Sequence, residues 1–375
     1  MGAVVAFAAA SAGDFSAEWN RCTETIRQQY YAGQTKRSLL EGLFRQYGGA
    51  AVAASSRSEF VRIVNEMLAR LGDSHFELHA EGQQSYGIVQ SILEGRPYPQ
   101  PFIGAYFTQD KAGWRVEMVF NGSAAEKAGM RKGDLVLKAD GQPFSPIASL
   151  RRVGGTVQLT GERASKPVSF EVAVESADFA EAALKATKAS RRVIDFEGKK
   201  IGYIRLWMML GDGFSAALYE AATEAFRETD AMILDLRDGF GGTFDRYADV
   251  FFRPPVKVER KGQRILTDRL YGYTNPLAVL INKGTRSAKE TLAYILKSSK
   301  RATLFGTRTA GKLMGSGQFR ISDWAILQVP VVEVFLDGKR LERVGVDPDI
   351  EVKVEFAPNG EDLVLKEALR HLGGR

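Results

Sequence analysis

Between Lys199 and about Val354, four apolar runs of strand length recur: Ile201 to Leu206, Met232 to Leu236, Leu277 to Asn282 and Ala302 to Phe305. Largely apolar rather than alternating, such runs suit strands buried on both faces. Helical patterns at Ser215 to Phe226, Asp245 to Phe252 and Ala288 to Ser298 lie among them. That alternation predicts parallel strands joined by crossover helices, because a parallel pair needs a long connection between its strands. Ala325 to Phe335 and the Asp337-Gly338 turn read as a closing hairpin, and a last helix over about Glu361 to Leu372 docks on the same core. Residues 190–375 are therefore expected to form an α/β core with a mixed, mostly parallel sheet.

A chain of 375 residues exceeds one ordinary core, so further domains are expected. From Phe15 to about Leu71 the pattern is helical: Ser56-Arg57-Ser58-Glu59 reads as a capping box, and Phe60, Val64, Met67, Leu68 and Leu71 share one face before Gly72 stops the helix. This gives an N-terminal helical domain over 14–85. From about Pro97 to Glu175 the character changes. Strands at Phe102 to Phe107, Trp114 to Val119, Leu135 to Ala139 and Val168 to Val174 alternate with glycine-rich turns, which sets apart a β-module over 96–177.

Composition narrows the function. The formal charge is +6, and no basic run interleaves with aromatics, so nucleic-acid binding has no support. Membrane contact through this modest charge stays open. One cysteine, Cys22, rules out an internal disulfide, and His75, His79 and His371 form no cluster with zinc-ligand spacing. No metal or other cofactor is expected. Residues 1–13 are small and apolar, and Ala10-Ser11-Ala12 has the small-x-small pattern of a signal-peptidase site, although no Lys or Arg precedes it. They are either the remnant of an export signal or a disordered tail, and export to a periplasm or cell envelope is the expectation.

The chemistry begins at Ser287. It stands between the run Leu277 to Asn282 and the helix beginning near Ala288, at a strand-to-helix turn where free N–H groups and the helix dipole favour negative charge. An attacked carbonyl develops that charge, so a nucleophile is well served there. The helix carries the chain roughly 17 Å away. Ala302 to Phe305 brings it back, and Gly306 to Lys312 opens on the same carboxyl edge of the sheet, where open α/β folds bind ligands. Lys312 thus comes within reach of Ser287. It acts as a base only if burial drives off its proton, and Ala310, Leu313 and Met314 supply apolar flanks. A third loop, Asp235-Leu236-Arg237-Asp238-Gly239-Phe240-Gly241-Gly242, ends another strand. Its glycine N–H groups, with that of Ala288, offer an oxyanion hole.

Two resemblances join these pieces. Gly122-Ser123-Ala124-Ala125-Glu126-Lys127-Ala128-Gly129, with Gly133-Asp134 and Ala139-Asp140-Gly141, resembles a PDZ domain. Phe102-Ile103-Gly104-Ala105 sits where such domains place the loop that receives a peptide's C-terminal carboxylate, and the ligand then adds a strand to the sheet. The remainder is similar to the tail-specific, or carboxyl-terminal processing, serine proteases. Ser287-Ala288-Lys289-Glu290 matches their Ser-Ala-x-Glu motif. Thr309-Ala310-Gly311-Lys312 matches their Thr-x-Gly-Lys motif, with the lysine twenty-five positions on. Asp235-Leu236-Arg237, Gly241-Gly242, the closing Gly345-Val346-Asp347-Pro348-Asp349 and Leu71-Gly72-Asp73-Ser74-His75 also match. The resemblance implies a serine endopeptidase that cleaves unfolded or C-terminally tagged polypeptides through an acyl-enzyme. Ser287 would be its nucleophile, Lys312 its base, Thr309 and Glu290 supporting groups, and the PDZ domain would hold the substrate's C-terminus. Relatives include monomers and larger assemblies, so an oligomer stays open.

Some positions depart from the family. Arg286 and Lys289 place a positive charge on each side of Ser287, and both are expected to face solvent. Four residues past the lysine stands Ser316 rather than glutamine, with Gln318 two further on. The same motifs also resemble the tricorn-core branch, which uses Ser-His-Glu. There His75 would be the base and Glu342, ahead of the closing Gly-x-x-Pro-Asp, its partner. The rival from another class is a catalytically inactive PDZ adaptor.

Overall fold

The computed structural model describes residues 14–374 except 245, 253–255, 262–264 and 271, with the backbone alone over 256–261 and 265–270. The alanine-rich start over residues 1–13 lies outside them. So does Asp245, the first residue of the helix expected through Phe252, of which Asp249–Phe252 is helical.

Two compact units divide the chain. The first holds the N-terminal residues through Tyr98 together with Met314–Val334. Its helices Ser16–Gln29, Arg37–Val52 and Arg57–Ala69 bury their apolar stripes in one core around Phe60, Val64, Met67 and Leu68. Half of the expected capping box forms. The Ser56 hydroxyl accepts from the Glu59 N–H at 3.2 Å, but the Glu59 carboxylate turns to the N–H of Ser55 at 2.7 Å. The hairpin expected across Asp337-Gly338 is the main correction. Ala325–Glu333 pairs with Met314–Arg320 on one side and Glu77–Ala80 on the other, while Phe335–Leu336 and Lys339–Arg340 make their own two-residue ladder. Trp324 explains the choice. It is buried beside Phe15 and Phe60, with ring centroids 6.0 and 6.1 Å away, so the strand that follows it is drawn into the helical core.

The second unit contains the β-module and the α/β core. Strand order in the module is Ala105–Gln109, Trp114–Val119, Leu135–Ala139, Thr156–Arg163, Lys166–Ala173, all antiparallel. The single strand expected over Phe102 to Phe107 is broken. Gln100–Phe102 pairs with Glu175–Ala177, and the chain turns at Gly104, where φ is +84° and an added Cβ would fall 2.1 Å from that of Ser123. Only glycine tolerates that approach.

The core sheet runs Arg192–Phe196, Lys199–Arg205, Ala231–Asp235, Leu277–Ile281, Thr303–Gly306, Ile350–Glu351. The first pair is antiparallel and every other pair parallel. Ala231–Asp235 and Leu277–Ile281 are buried at every position, as their largely apolar pattern predicts, with the charged Asp235 buried at the end of the first. The helix Leu363–Gly373, capped by Asp362, packs Val364, Ala368, Leu369 and Leu372 on the sheet. Module and core share an aromatic cluster in which Phe179 meets Phe102, Phe120, Tyr106 and Phe240, with ring centroids 5.1 to 5.9 Å away.

A buried charge network closes the carboxyl end of the sheet. Arg237 grips Asp235 and, bidentately, Asp362, while Asp235 also accepts from the Tyr203 hydroxyl at 2.7 Å. Burial opposes ionisation of Asp235, but the guanidiniums of Arg237 and Arg205 outweigh it and hold the carboxyl well below the usual range. A depressed carboxyl contributes stability above its unfolded pKa and loses it as pH falls through the folded one. Asp235→Asn should therefore cost about 3–5 kcal/mol at pH 7, because it removes the buried carboxylate that offsets both Arg237 and Arg205 and leaves each with fewer acidic partners. The gap to the parent should shrink below about pH 4. Urea midpoints at pH 7 and pH 3 measure both; equal midpoints at pH 7 would remove Asp235 from the stabilising network.

Candidate active site

Ser287 lies where the sequence places it, immediately before the helix Ala288–Ser298 and after the strand Leu277–Ile281. Its backbone has φ +57° and ψ −132°, a conformation that costs a non-glycine residue about 1–3 kcal/mol. The surroundings hold it there. Thr285, fully buried, receives the Asn282 N–H on its hydroxyl at 3.0 Å and donates that hydroxyl to Leu236 O at 3.0 Å. The Ser287 N–H donates to Lys312 O at 2.9 Å and to the Glu290 carboxylate at 3.2 Å.

Glu290 is the hub of this turn. Fully buried, it also accepts from the Thr309 hydroxyl at 2.5 Å, from the Gly311 N–H at 2.7 Å and from the Lys312 N–H at 2.8 Å. Burial raises its pKa above the ordinary glutamate range, and these donated hydrogen bonds oppose the rise. Thr309 continues the chain of contacts by accepting the Val346 N–H at 2.7 Å. One carboxylate thus fastens the 309–312 loop to the serine turn. Glu342, also buried, accepts the Leu313 N–H at 2.7 Å, so it too abuts this loop.

The glycine loop comes in from the third strand. A Cβ built on Gly241 would fall 2.5 Å from the Ser287 Cβ and 2.8 Å from both the Ser287 Oγ and the Ala288 N. Any side chain there would displace the serine. Phe240 N–H donates to Trp207 O, Met209 N–H to Gly241 O and Thr243 N–H to Met209 O, at 2.8–3.0 Å. Among the described residues the N–H groups of Gly241, Gly242 and Ala288 donate to no protein acceptor. Unengaged backbone N–H groups are the kind of donor a developing anion needs.

Two lysines exchange their expected environments. Lys312 is exposed, and its Nζ has no hydrogen-bond or ion-pair partner among the described residues. The apolar flanks do not bury it, because its neighbours Gly311 and Leu313 turn inward while its own side chain points out. Lys289, expected in solvent, is fully buried, and its amine donates to Leu206 O and to Asp238 O. Arg286 is half-buried, lies over the Phe240 ring at 4.0 Å and donates to Gly239 O at 2.9 Å. Asn282 was not foreseen either: its side chain receives the N–H groups of Asp238 and Gly284 at 3.1 and 2.9 Å. A polar residue ending an apolar run was the only signal for it.

His75 belongs to the helical unit. It is half-buried with φ +60°, and its Nδ1 is 2.8 Å from the Ser74 hydroxyl. The preceding Asp73 receives Lys36 Nζ at 2.7 Å. Ser316, on the strand Met314–Arg320, accepts from Gln328 at 2.8 Å. In the module, the carbonyls of Ile103 and Gly104 accept from Ala125 N and Phe120 N at 2.9 and 2.8 Å, and Phe102, Ile103 and Ala105 are buried. The N–H groups of Ile103 and Gly104 meet no acceptor among the described residues. No cluster of metal-ligating side chains occurs among the described residues.

Residues 200–352 match the sequence model of peptidase family S41, and residues 101–174 match that of the PDZ domain. Over 275 residues the chain is 29% identical to a chloroplastic C-terminal processing peptidase of Tetradesmus obliquus, covering 63% of this chain and 56% of that protein. With the chloroplastic carboxyl-terminal-processing peptidase 2 of Arabidopsis thaliana it shares 27% over 335 residues, covering 82% and 63%. The chain thus spans about three-fifths of the length of these relatives. The solved photosystem II D1 C-terminal processing protease superposes with a TM-score of 0.58 at 22% identity, covering 96% of this chain and 97% of that one, a likeness of fold. Sheet, turn and matched segments define an S41-type peptidase fold carrying a PDZ domain. The family-model matches and the named relatives agree with the resemblance to carboxyl-terminal processing serine proteases that the ordered motifs carry.

Proposed function

We propose that the protein is a serine endopeptidase that cleaves unfolded or C-terminally tagged polypeptides, with Ser287 as nucleophile. The observation that carries this reading is the strained Ser287 packed against Gly241, a position only glycine can occupy, with the N–H groups of Gly241, Gly242 and Ala288 unengaged among the described residues. Ser287 Oγ attacks the scissile carbonyl carbon and passes its proton to a base. The oxyanion sits among the N–H groups of Gly241, Gly242 and Ala288. The C–N bond breaks, the amine leaves with the proton, and water hydrolyses the acyl-serine.

Lys312 is the base in this reading. Its carbonyl accepts the Ser287 N–H, so the two residues adjoin through their backbones. Thr309 and Glu290 support the site by fixing the loop that carries Lys312. The PDZ loop Phe102-Ile103-Gly104-Ala105 receives the substrate's C-terminal carboxylate on its inward-fixed backbone, whose N–H groups at Ile103 and Gly104 are unengaged. Export to a periplasm or cell envelope completes this reading, drawn from the small-x-small start; no described helix is long and apolar enough to cross a membrane.

A second mechanism keeps Ser287 and uses His75 with Glu342. The buried Glu342 carboxylate against the residue after Lys312 favours it. Fluorophosphonate labelling separates the two. Lys312→Ala should lower the labelling rate at least about 10²-fold and His75→Ala should leave it within about twofold, since a positioned base contributes on that scale. The reverse pattern moves the mechanism to Ser-His-Glu. An intact protein that neither labels nor cleaves an unfolded polypeptide, with or without a C-terminal peptide added, is a binding adaptor instead.

A further inference from the structure

The two cations beside Ser287 face inward, toward the glycine loop. Lys289 donates to the carbonyls of Leu206 and Asp238, and Arg286 donates to the next carbonyl, that of Gly239. Consecutive carbonyls are thereby turned toward the first turn of the serine's own helix. A peptide plane is rigid, so fixing a carbonyl fixes the N–H of the following residue. Beyond these two, Phe240 N–H, Gly241 O and Thr243 N–H are fixed by Trp207 and Met209. The N–H groups of Gly241 and Gly242 emerge between the held points.

We propose that Lys289 and Arg286 are positioning residues that clamp the Asp238–Gly242 backbone and so set the oxyanion donors relative to Ser287, an assignment that rests on Ser287 being the nucleophile.

A structural filler does not account for Lys289. Burying an amine costs more than burying a methionine of similar length, so its retention asks for a task only N–H groups perform. Burial holds its pKa well below the usual lysine range; Arg205 and Arg286 push the same way, while Asp235 and Asp238 oppose. Two carbonyls, those of Leu206 and Asp238, receive the N–H groups of Lys289. Arg286 adds a planar contact, its guanidinium stacked on the Phe240 ring one residue before Gly241.

The test compares the full-length protein with Lys289→Met, Arg286→Gln and Ser287→Ala. It uses amide hydrogen exchange across residues 236–244, fluorophosphonate labelling, and the kcat and KM of peptide cleavage. Lys289→Met should speed exchange at Gly241 to Thr243 on the order of tenfold, because held backbone opens less often. Labelling rate and kcat should fall about 10- to 100-fold with KM within about twofold, as a displaced oxyanion donor acts in the transition state. Arg286→Gln, on a half-buried side chain that leaves the core intact, should shift the same readouts in the same direction by a smaller factor. Unchanged local exchange in both variants overturns the clamp. So does exchange that rises evenly along the chain with labelling per folded molecule unchanged. Labelling that survives in Ser287→Ala sinks the nucleophile assignment instead, and local exchange still reads the clamp by itself.

Discussion

Replacing Ser287 with alanine is expected to abolish fluorophosphonate labelling and to lower peptide turnover by about 10⁴-fold or more, the scale seen when a serine peptidase loses its nucleophile. The fold should survive. The turn is held through backbone groups by Thr285, Glu290 and the carbonyl of Lys312, and the serine hydroxyl adds its share of a capping box with Glu290. Stability should stay within about 1 kcal/mol of the parent, since the substitution opens no cavity larger than a hydroxyl. Thermal unfolding checks this alongside the label. A variant that keeps its fold and still labels at another residue would place the nucleophile elsewhere.

Glu290→Ala should be the most damaging substitution for fold and activity together. Three donors lose their acceptor at once, the N–H groups of Gly311 and Lys312 and the hydroxyl of Thr309, while the Ser287 N–H keeps only its bond to Lys312 O. Each buried unsatisfied donor costs about 1–3 kcal/mol, and partial rescue by water sets an expected total of about 3–5 kcal/mol. The 309–312 loop would no longer be fastened to the serine turn. Labelling measured well below the variant's own melting temperature should fall at least about 10²-fold, because small displacements of reacting groups carry large penalties. If the variant melts with the parent and labels at the same rate, the carboxylate is not the hub described here.

The fold was legible because its strongest signals are local. Runs such as Leu277 to Ile281 are apolar at every position, which suits burial on both faces. Turn chemistry was legible for the same reason: Gly104 and Gly241 stand where a Cβ collides with a neighbour. What escaped was decided at a distance. Nothing near Ala325–Glu333 announces that Trp324, sequestered by Phe15 and Phe60, pulls it away from the adjacent Asp337-Gly338 turn. The lysines escaped for a related cause. Flanking residues suggested a buried Lys312 and an exposed Lys289, but burial depends on which way a side chain leaves the backbone. Position 289 lies on the inward face of its helix, beside the buried Glu290 and Leu292. Lys312 sits between two inward-turned neighbours and therefore points out. At the site, the sequence singled out Ser287, Glu290, Thr309 and the glycine pair as candidates, while Asn282 and Thr285 came into view only with the hydrogen bonds they make.

The junction between PDZ segment and core carries a consequence for chimeras. Lys132, on the turn after the short PDZ helix, reaches Asp238 at 2.5 Å and Glu355 at 3.3 Å, and Arg205 holds the other oxygen of Asp238 at 2.9 Å. Asp238 is the first residue of the glycine loop beside Ser287. A foreign PDZ domain transplanted onto this core would have to bring a cation to the place of Lys132, or leave a nearly buried carboxylate half neutralised at the edge of that loop. Recombination is thus constrained by a single charge rather than by the length or composition of the connecting segments.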